Sequence, residues 1–292
     1  MGSIVRKIGN KLNEYGKLVM FSHTVFSLAF AAVALLAASG GRPKPRVVFW
    51  AALAFLSART GANALNRVVD AGIDAKNPRT AGRQIPQGQI GKKETLILAA
   101  VCFLVMVVSA SRLNLLCLIL SPVALFLMTV YSYTKRFTWM CHLVLGITCA
   151  CAPVGAWLAV TGRFSLVPLF FGAANCLWTA GFDIIYGSQD YEFDKANGLH
   201  SIPVQFGVKG GLLISSLFHV TALLSLCAAG VLLYPRFGVL YGAGLGVIAI
   251  LMVIQHRMVS PGRLDNVNIA SYSISQITSI VLLVFGILDV YL

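Results

Sequence analysis

The sequence predicts an all-α integral membrane protein, and three observations lead there. Of 292 residues, 58% are hydrophobic and 11% charged, whereas a water-soluble domain carries about 25% charged residues. The apolar residues gather in runs of about 20, the length of helix that crosses a hydrocarbon core. Lys and Arg interrupt those runs mostly on one side, the pattern of a chain threaded repeatedly through a bilayer.

Nine spanning segments are expected, at 18–38, 46–66, 95–112, 114–134, 139–161, 165–186, 210–232, 238–257 and 268–290. Residues 1–17 are basic and amphipathic, and no small-residue cleavage pattern follows the first apolar run. They read as a cytoplasmic interfacial segment ahead of an uncleaved first helix. The opening MGSIVR does not match a myristoylation signal. No long polar stretch divides the chain, so residues 1–292 are read as a single polytopic domain. Two connections are long and polar, Arg67–Glu94 and Gly187–Lys209.

Of the 23 Lys and Arg residues, 16 fall on the N-terminal side of the threading and six opposite, with Arg59 inside the second segment. The bias predicts a cytoplasmic N-terminus, an outside C-terminus, and both long connections in the cytoplasm. A bacterial inner or plasma membrane is the expected location. The net charge of +13 then belongs mainly to the cytoplasmic face, where it meets anionic lipid headgroups. No basic–aromatic module suggests nucleic-acid binding. Seven cysteines lie without CxxC or Cys/His spacing and read as packing residues.

The acids are informative because there are only ten. Five fall in "NRVVDAGID" and "YGSQDYEFD", each at the cytoplasmic end of an apolar segment. Residues four apart share a helix face, so Asn66, Asp70 and Asp74 form one polar stripe and Tyr186, Asp190 and Asp194 another. Like charges at that spacing repel, and ionisable groups near lipid are functional candidates. A divalent cation relieves both, since carboxylate and amide oxygens are what Mg²⁺ accepts. The sequences after the two stripes echo each other, each with an Asn three positions beyond the last Asp.

Two Mg²⁺-binding clusters beside an apolar interior, ringed by Arg79, Arg83, Lys135, Arg136 and Lys195, suit a polyprenyl diphosphate. Its head is anionic and its tail matches lipid. Loss of diphosphate from an allylic carbon leaves a cation, and Mg²⁺, Lys and Arg neutralise the leaving group where charge develops.

These motifs resemble those of the UbiA superfamily of membrane prenyltransferases. The resemblance implies an all-helical fold of about nine spanning helices around a central cavity. It implies metal ligands at Asn66, Asp70, Asp74, Asp190 and Asp194. The family's NDxxDxxxD motif corresponds to Asn66–Asp74 and its DxxxD motif to Asp190–Asp194. Arg59, "RTAGRQIPQG" with Arg79 and Arg83, "YSYTKRFTW" with Lys135 and Arg136, and "GLHSIPVQFG" follow in the same order. Arg67 stands where many members have Asp, so the first cluster is poorer in carboxylates.

"FSHTVFSLAFA" (Phe21–Ala31) and "YGSQDYEFD" look most like the 4-hydroxybenzoate polyprenyltransferase branch of quinone pathways. The implied reaction moves a polyprenyl group to a ring carbon of a phenolic acid, with 4-hydroxybenzoate first and a dihydroxynaphthoate of menaquinone biosynthesis as the alternative. An Arg suits the acceptor carboxylate by bidentate pairing, with Arg59, Arg79 and Arg136 as candidates. Asp70, Asp74, Asp190, Asp194 and Arg136 are the expected catalytic residues; Arg59, Asn66, Arg79, Arg83, Lys135, Tyr186 and Lys195 the substrate-binding ones.

Isolated His23, His142, His219 and His256 read as packing or interface residues, with His200 near the expected diphosphate site. Asn63 reads as a supporting amide, Tyr131 and Tyr133 as groups for the cation or phosphate. Asp183 is either buried polar support or an acceptor-side group. An ion-coupled transporter is the reading of another class, but transporters favour acids near the bilayer midplane and helices broken by Gly or Pro.

Overall fold

The computed structural model describes residues 14–18 and 25–292. Residues 1–13 of the basic N-terminal segment, and His23, lie outside the described residues. The principal helices are α1 (Val25–Ser39), α2 (Pro45–Asp74), α3 (Lys92–Leu113), α4 (Leu115–Tyr131), α5 (Cys141–Thr161), α6 (Leu166–Gly187), α7 (Ile202–Leu232), α8 (Val239–Arg257) and α9 (Ile274–Tyr291). No sheet forms among the described residues; Ser260 and Arg263 make one isolated bridge.

Eight of these helices, some together with the turn beside them, are long and apolar enough to cross a membrane; α1 is described only from Val25 and is shorter. The nine expected segments match α1–α9 in order. Their ends differ where polar residues continue a helix beyond its apolar run. Thus α2 continues through Asp74 and α7 starts at Ile202.

Polar side chains set several helix ends. Asn114 accepts from Cys117 N at 2.9 Å at the start of α4 and donates to Leu158 O of α5 at 2.8 Å. Ser201 accepts from Val204 N at 3.3 Å as α7 begins. Asp289 of α9 accepts from Gly238 N and from Tyr241 N, capping α8 from a neighbouring helix. Each satisfies backbone donors that a helix start leaves unpaired.

The helices pack into one bundle, α2 on α3, α5 on α6, α6 on α7, and α1 against both α5 and α9. Phe171, Trp178, Leu226 and Ile248 anchor its interior, while Leu104, Leu224 and Ile250 point outward. Lipid is as apolar as those side chains, so close packing rather than hydrophobicity holds such helices together. Glycine permits it. A Cβ at Gly146 of α5 would stand 2.3 Å from the Cys176 carbonyl oxygen of α6. One at Gly181 of α6 would stand 2.5 Å from the His219 ring of α7. The C-terminal ends of α2 and α6 thereby reach the same end of the bundle, and the segments after them meet there.

Candidate active site

Unbroken helix from Pro45 to Asp74 puts Asn66, Asp70 and Asp74 on one face. Asn66 Nδ2 donates to Asp70 Oδ2 at 3.1 Å. Asp70 and Asp74 are 5% and 3% exposed, so each carboxylate needs a partner. Lys135 Nζ lies 3.2 Å from Asp70 Oδ2, and Arg136 Nη2 donates to Oδ1 at 3.0 Å. Both bases come from the 3₁₀ turn Thr134–Arg136 after α4. Arg136 is held further by the carbonyls of Ser132 (2.8 Å) and Val69 (2.9 Å). Asp74 Oδ1 accepts from Arg83 Nη1 at 2.7 Å, and its buried Oδ2 has no hydrogen-bond partner.

The second motif is built differently from the expected stripe. Helix α6 stops at Gly187, a 3₁₀ turn spans Ser188–Asp190, and a short helix follows at Tyr191–Ala196. Tyr186, Asp190 and Asp194 therefore do not share one continuous helix face. Arg79, from the loop after α2, joins the first two instead. Its Nε donates to Asp190 Oδ1 at 2.9 Å, Nη2 donates to Oδ2, and Nη1 donates to the Tyr186 hydroxyl. The guanidinium also stands 4.7 Å from the Tyr186 ring centroid. Burial disfavours the charge on Arg79, and the hydrogen bonds and charge of Asp190 outweigh it, holding the group protonated above its usual range.

That loop spans both motifs. Asn77 Nδ2 donates to Asp190 Oδ1 at 2.9 Å while its Oδ1 accepts from Arg79 N at 3.0 Å. Thr80 Oγ1 donates to the Asp74 carbonyl at 3.1 Å. The echo between the two flanks does not extend to contacts, since Asn197 Nδ2 donates to the Phe193 carbonyl. Lys195 is exposed, with Nζ 5.6 Å from the Tyr191 ring. Arg67 donates through Nε to Leu18 O at 3.2 Å. A cavity of about 300 Å³ opens beside Arg136, lined also by Val69, Ile73, Lys76, Phe193 and Asn197.

Arg59 lies 11 positions before Asp70, about 16 Å further along α2 at 1.5 Å per residue. It is partly buried in the bundle. An aromatic cluster adjoins Tyr186: Tyr272 stands 4.8 Å from Tyr186 and 6.2 Å from Phe182, and Phe26 stands 5.3 Å from Phe182, centroid to centroid. Tyr272 rides on a π-helical turn, Ile269–Ser273, the kind of irregularity that re-aims a side chain. Sequence reasoning missed Tyr272, because a π turn shifts which residues share a face, and missed Phe26 and Phe182, because their meeting depends on how separate helices pack. Three of the histidines read as isolated, His142, His219 and His256, are paired in space. His142 Nδ1 is 2.7 Å from Asp183 Oδ2, and His219 Nδ1 is 2.8 Å from His256 Nε2.

Among the described residues no three His, Cys, Asp or Glu side chains close into a ready-made metal cage. A Mg²⁺ ion does not require one, since it commonly binds one or two carboxylates plus substrate phosphates and keeps several waters. The donor set fits that habit: oxygen ligands only, with Asp74 Oδ2 buried and unpartnered.

Residues 27–277 match the model of the UbiA prenyltransferase family. The chain is 31% identical over 238 residues to a 4-hydroxybenzoate octaprenyltransferase of Shewanella sp. (strain W3-18-1), covering 80% of this chain and 82% of that one. It is 30% identical over 253 residues to the same enzyme of Shewanella sediminis (strain HAW-EB3), covering 86% and 87%. Among solved structures, the apo UbiA homolog from Aeropyrum pernix K1 superposes with a TM-score of 0.83 at 31% identity, covering 92% of this chain and 98% of that one. The UbiA homolog from Archaeoglobus fulgidus bound to DMAPP and Mg²⁺ has the same fold, with a TM-score of 0.76 at 18% identity over 95% and 99%. The motifs, the helical bundle and these relatives agree: the chain belongs to the UbiA prenyltransferase family.

Proposed function

We propose that this membrane prenyltransferase moves a polyprenyl group from polyprenyl diphosphate to a ring carbon of a hydroxylated aromatic acid, 4-hydroxybenzoate first, in respiratory quinone biosynthesis. One observation carries the reading. Asp70, Asp74 and Asp190 gather at one end of the bundle with Arg79, Arg83, Lys135 and Arg136, beside an apolar interior. Such a site neutralises an anionic head and leaves a tail in hydrocarbon. The Shewanella relatives carry the name of that activity, and the whole chain is read as one catalytic unit.

Asn66, Asp70, Asp74, Asp190 and Asp194 would hold Mg²⁺, which supplies positive charge where diphosphate leaves. Arg79, Arg83 and Lys135 bind the phosphate oxygens. Phe26, Phe182, Tyr186 and Tyr272 offer ring faces to the allylic cation and keep water from it. Arg136 is tied to Asp70 and two carbonyls, so its work is to fix Asp70. Arg59, set deeper on α2, is the better partner for the acceptor carboxylate. The basic bias supports a site on the cytoplasmic side.

The test incubates membranes containing the protein with labelled polyprenyl diphosphate and either 4-hydroxybenzoate or a dihydroxynaphthoate, in EDTA or in Mg²⁺. Prenylated 4-hydroxybenzoate is expected in Mg²⁺ and none in EDTA. Product from the naphthoate alone would reassign the acceptor; full transfer without metal would overturn the mechanism.

A further inference from the structure

Asp183 lies on α6 four positions before Gly187, where the helix ends, about 6 Å from that end at 1.5 Å per residue. Its side chain stays 28% exposed, although Ala180, Gly181, Ile184 and Ile185 around it on the helix are buried. Phe182 and Tyr186, its neighbours on the helix, belong to the aromatic cluster.

Its partner differs in kind from those of the other paired acids of the site. Asp70, Asp74 and Asp190 are matched by Lys or Arg; Asp183 is matched by His142, Nδ1 to Oδ2 at 2.7 Å. An ionised carboxylate only accepts, so Nδ1 carries the proton and donates. The His142 side chain is 6% exposed and its buried Nε2 has no partner. Gly187 presses on the ring, since a Cβ there would come within 3.1 Å of Cε1. Packing therefore fixes the imidazole, and the imidazole fixes the carboxylate. Asp183 is thus held by an oriented ring N–H rather than by a Lys or Arg of the leaving-group site.

We propose that Asp183 accepts the proton released by the aromatic ring, and that His142 is the positioning residue that aims it. This rests on the prenyl transfer proposed above. The allylic C–O bond breaks with its electron pair going to diphosphate, and a π pair of the ring forms the new C–C bond. The C–H bond at that carbon then breaks, its pair restores aromaticity, and the proton passes to the Asp183 carboxylate and on to water.

The experiment uses 4-hydroxybenzoate, or the dihydroxynaphthoate if that is the acceptor, deuterated at the reacting ring carbon. Wild-type transfer is measured first; its absence with every acceptor removes the function itself. In the wild type rearomatisation is expected to be fast, so that deuterium leaves the rate unchanged. In Asp183→Asn and His142→Leu, kcat is expected to fall on the order of 10²-fold with a primary isotope effect appearing. His142→Asn, which retains an N–H donor near the Nδ1 position, should recover much of the rate and lose the isotope effect. If Asp183→Asn does not bind polyprenyl diphosphate, the same measurement is made on Asp183→Glu. Unchanged turnover, or slower turnover without an isotope effect, overturns the assignment while leaving prenyl transfer intact.

Discussion

Arg79 and Asp190 are 111 residues apart in the chain and share a two-pronged ion pair, Nε to one carboxylate oxygen at 2.9 Å and Nη2 to the other. The loop after α2 is thereby fastened to the turn after α6. Lysine carries the charge but not the planar fork. Arg79→Lys is expected to lower kcat/KM for polyprenyl diphosphate on the order of 10–100-fold, the usual cost of losing a group that orients a ligand. Steady-state kinetics with the aromatic acid saturating would check this, and a variant with wild-type kinetics would refute it.

Single substitutions Asp70→Ala, Asp74→Ala, Asp190→Ala and Asp194→Ala should each cost about 10²–10³ in rate, because each removes charge stabilisation at the leaving group. The loss should appear chiefly in kcat. Near-normal turnover in all four would remove the proposed roles of these acids.

Arg59 and Arg136 should separate kinetically. Arg59→Ala is expected to raise KM for the aromatic acid with little change for polyprenyl diphosphate. Arg136→Ala frees the Asp70 carboxylate and should lower kcat instead. Initial rates with each substrate varied in turn distinguish the two, and the reverse pattern would exchange their roles.

The proposed cytoplasmic site has its own check. Cysteines introduced at Gly82 and Asn197, in a background lacking the native ones, should both react with an impermeant thiol reagent from the cytoplasmic side only. Labelling of the two from opposite sides would exclude a shared site.

The two carboxylate stripes could be read from the sequence because a four-residue spacing is a helical property, and α2 honours it: Asn66 and Asp70 are hydrogen bonded. The second stripe was misread at Gly187, where spacing alone does not reveal that α6 yields to a 3₁₀ turn. Arg79, Arg83, Lys135 and Arg136 were expected near the acids, and their individual partners were not, since those depend on how α2, α4 and α6 meet in space. Asn77 had a faint signal in the repeated Asn after each motif; Tyr272 had none. The His142–Asp183 pair joins the start of α5 to α6, a contact that no periodicity along either helix encodes.

Helix α2 runs 30 residues, about 45 Å at 1.5 Å per residue, against a hydrocarbon slab of about 30 Å. The surplus carries Asn66, Asp70 and Asp74 toward the level of the lipid phosphates. How far they stand above the acyl chains is set by the host bilayer as well as by the protein. Longer-chain lipids draw the carboxylates toward oil and strengthen every charge interaction there; shorter ones lift them toward bulk water and dilute it. Acyl composition is thus expected to act as a tuning variable for turnover, which reconstitution in bilayers of different chain length would measure.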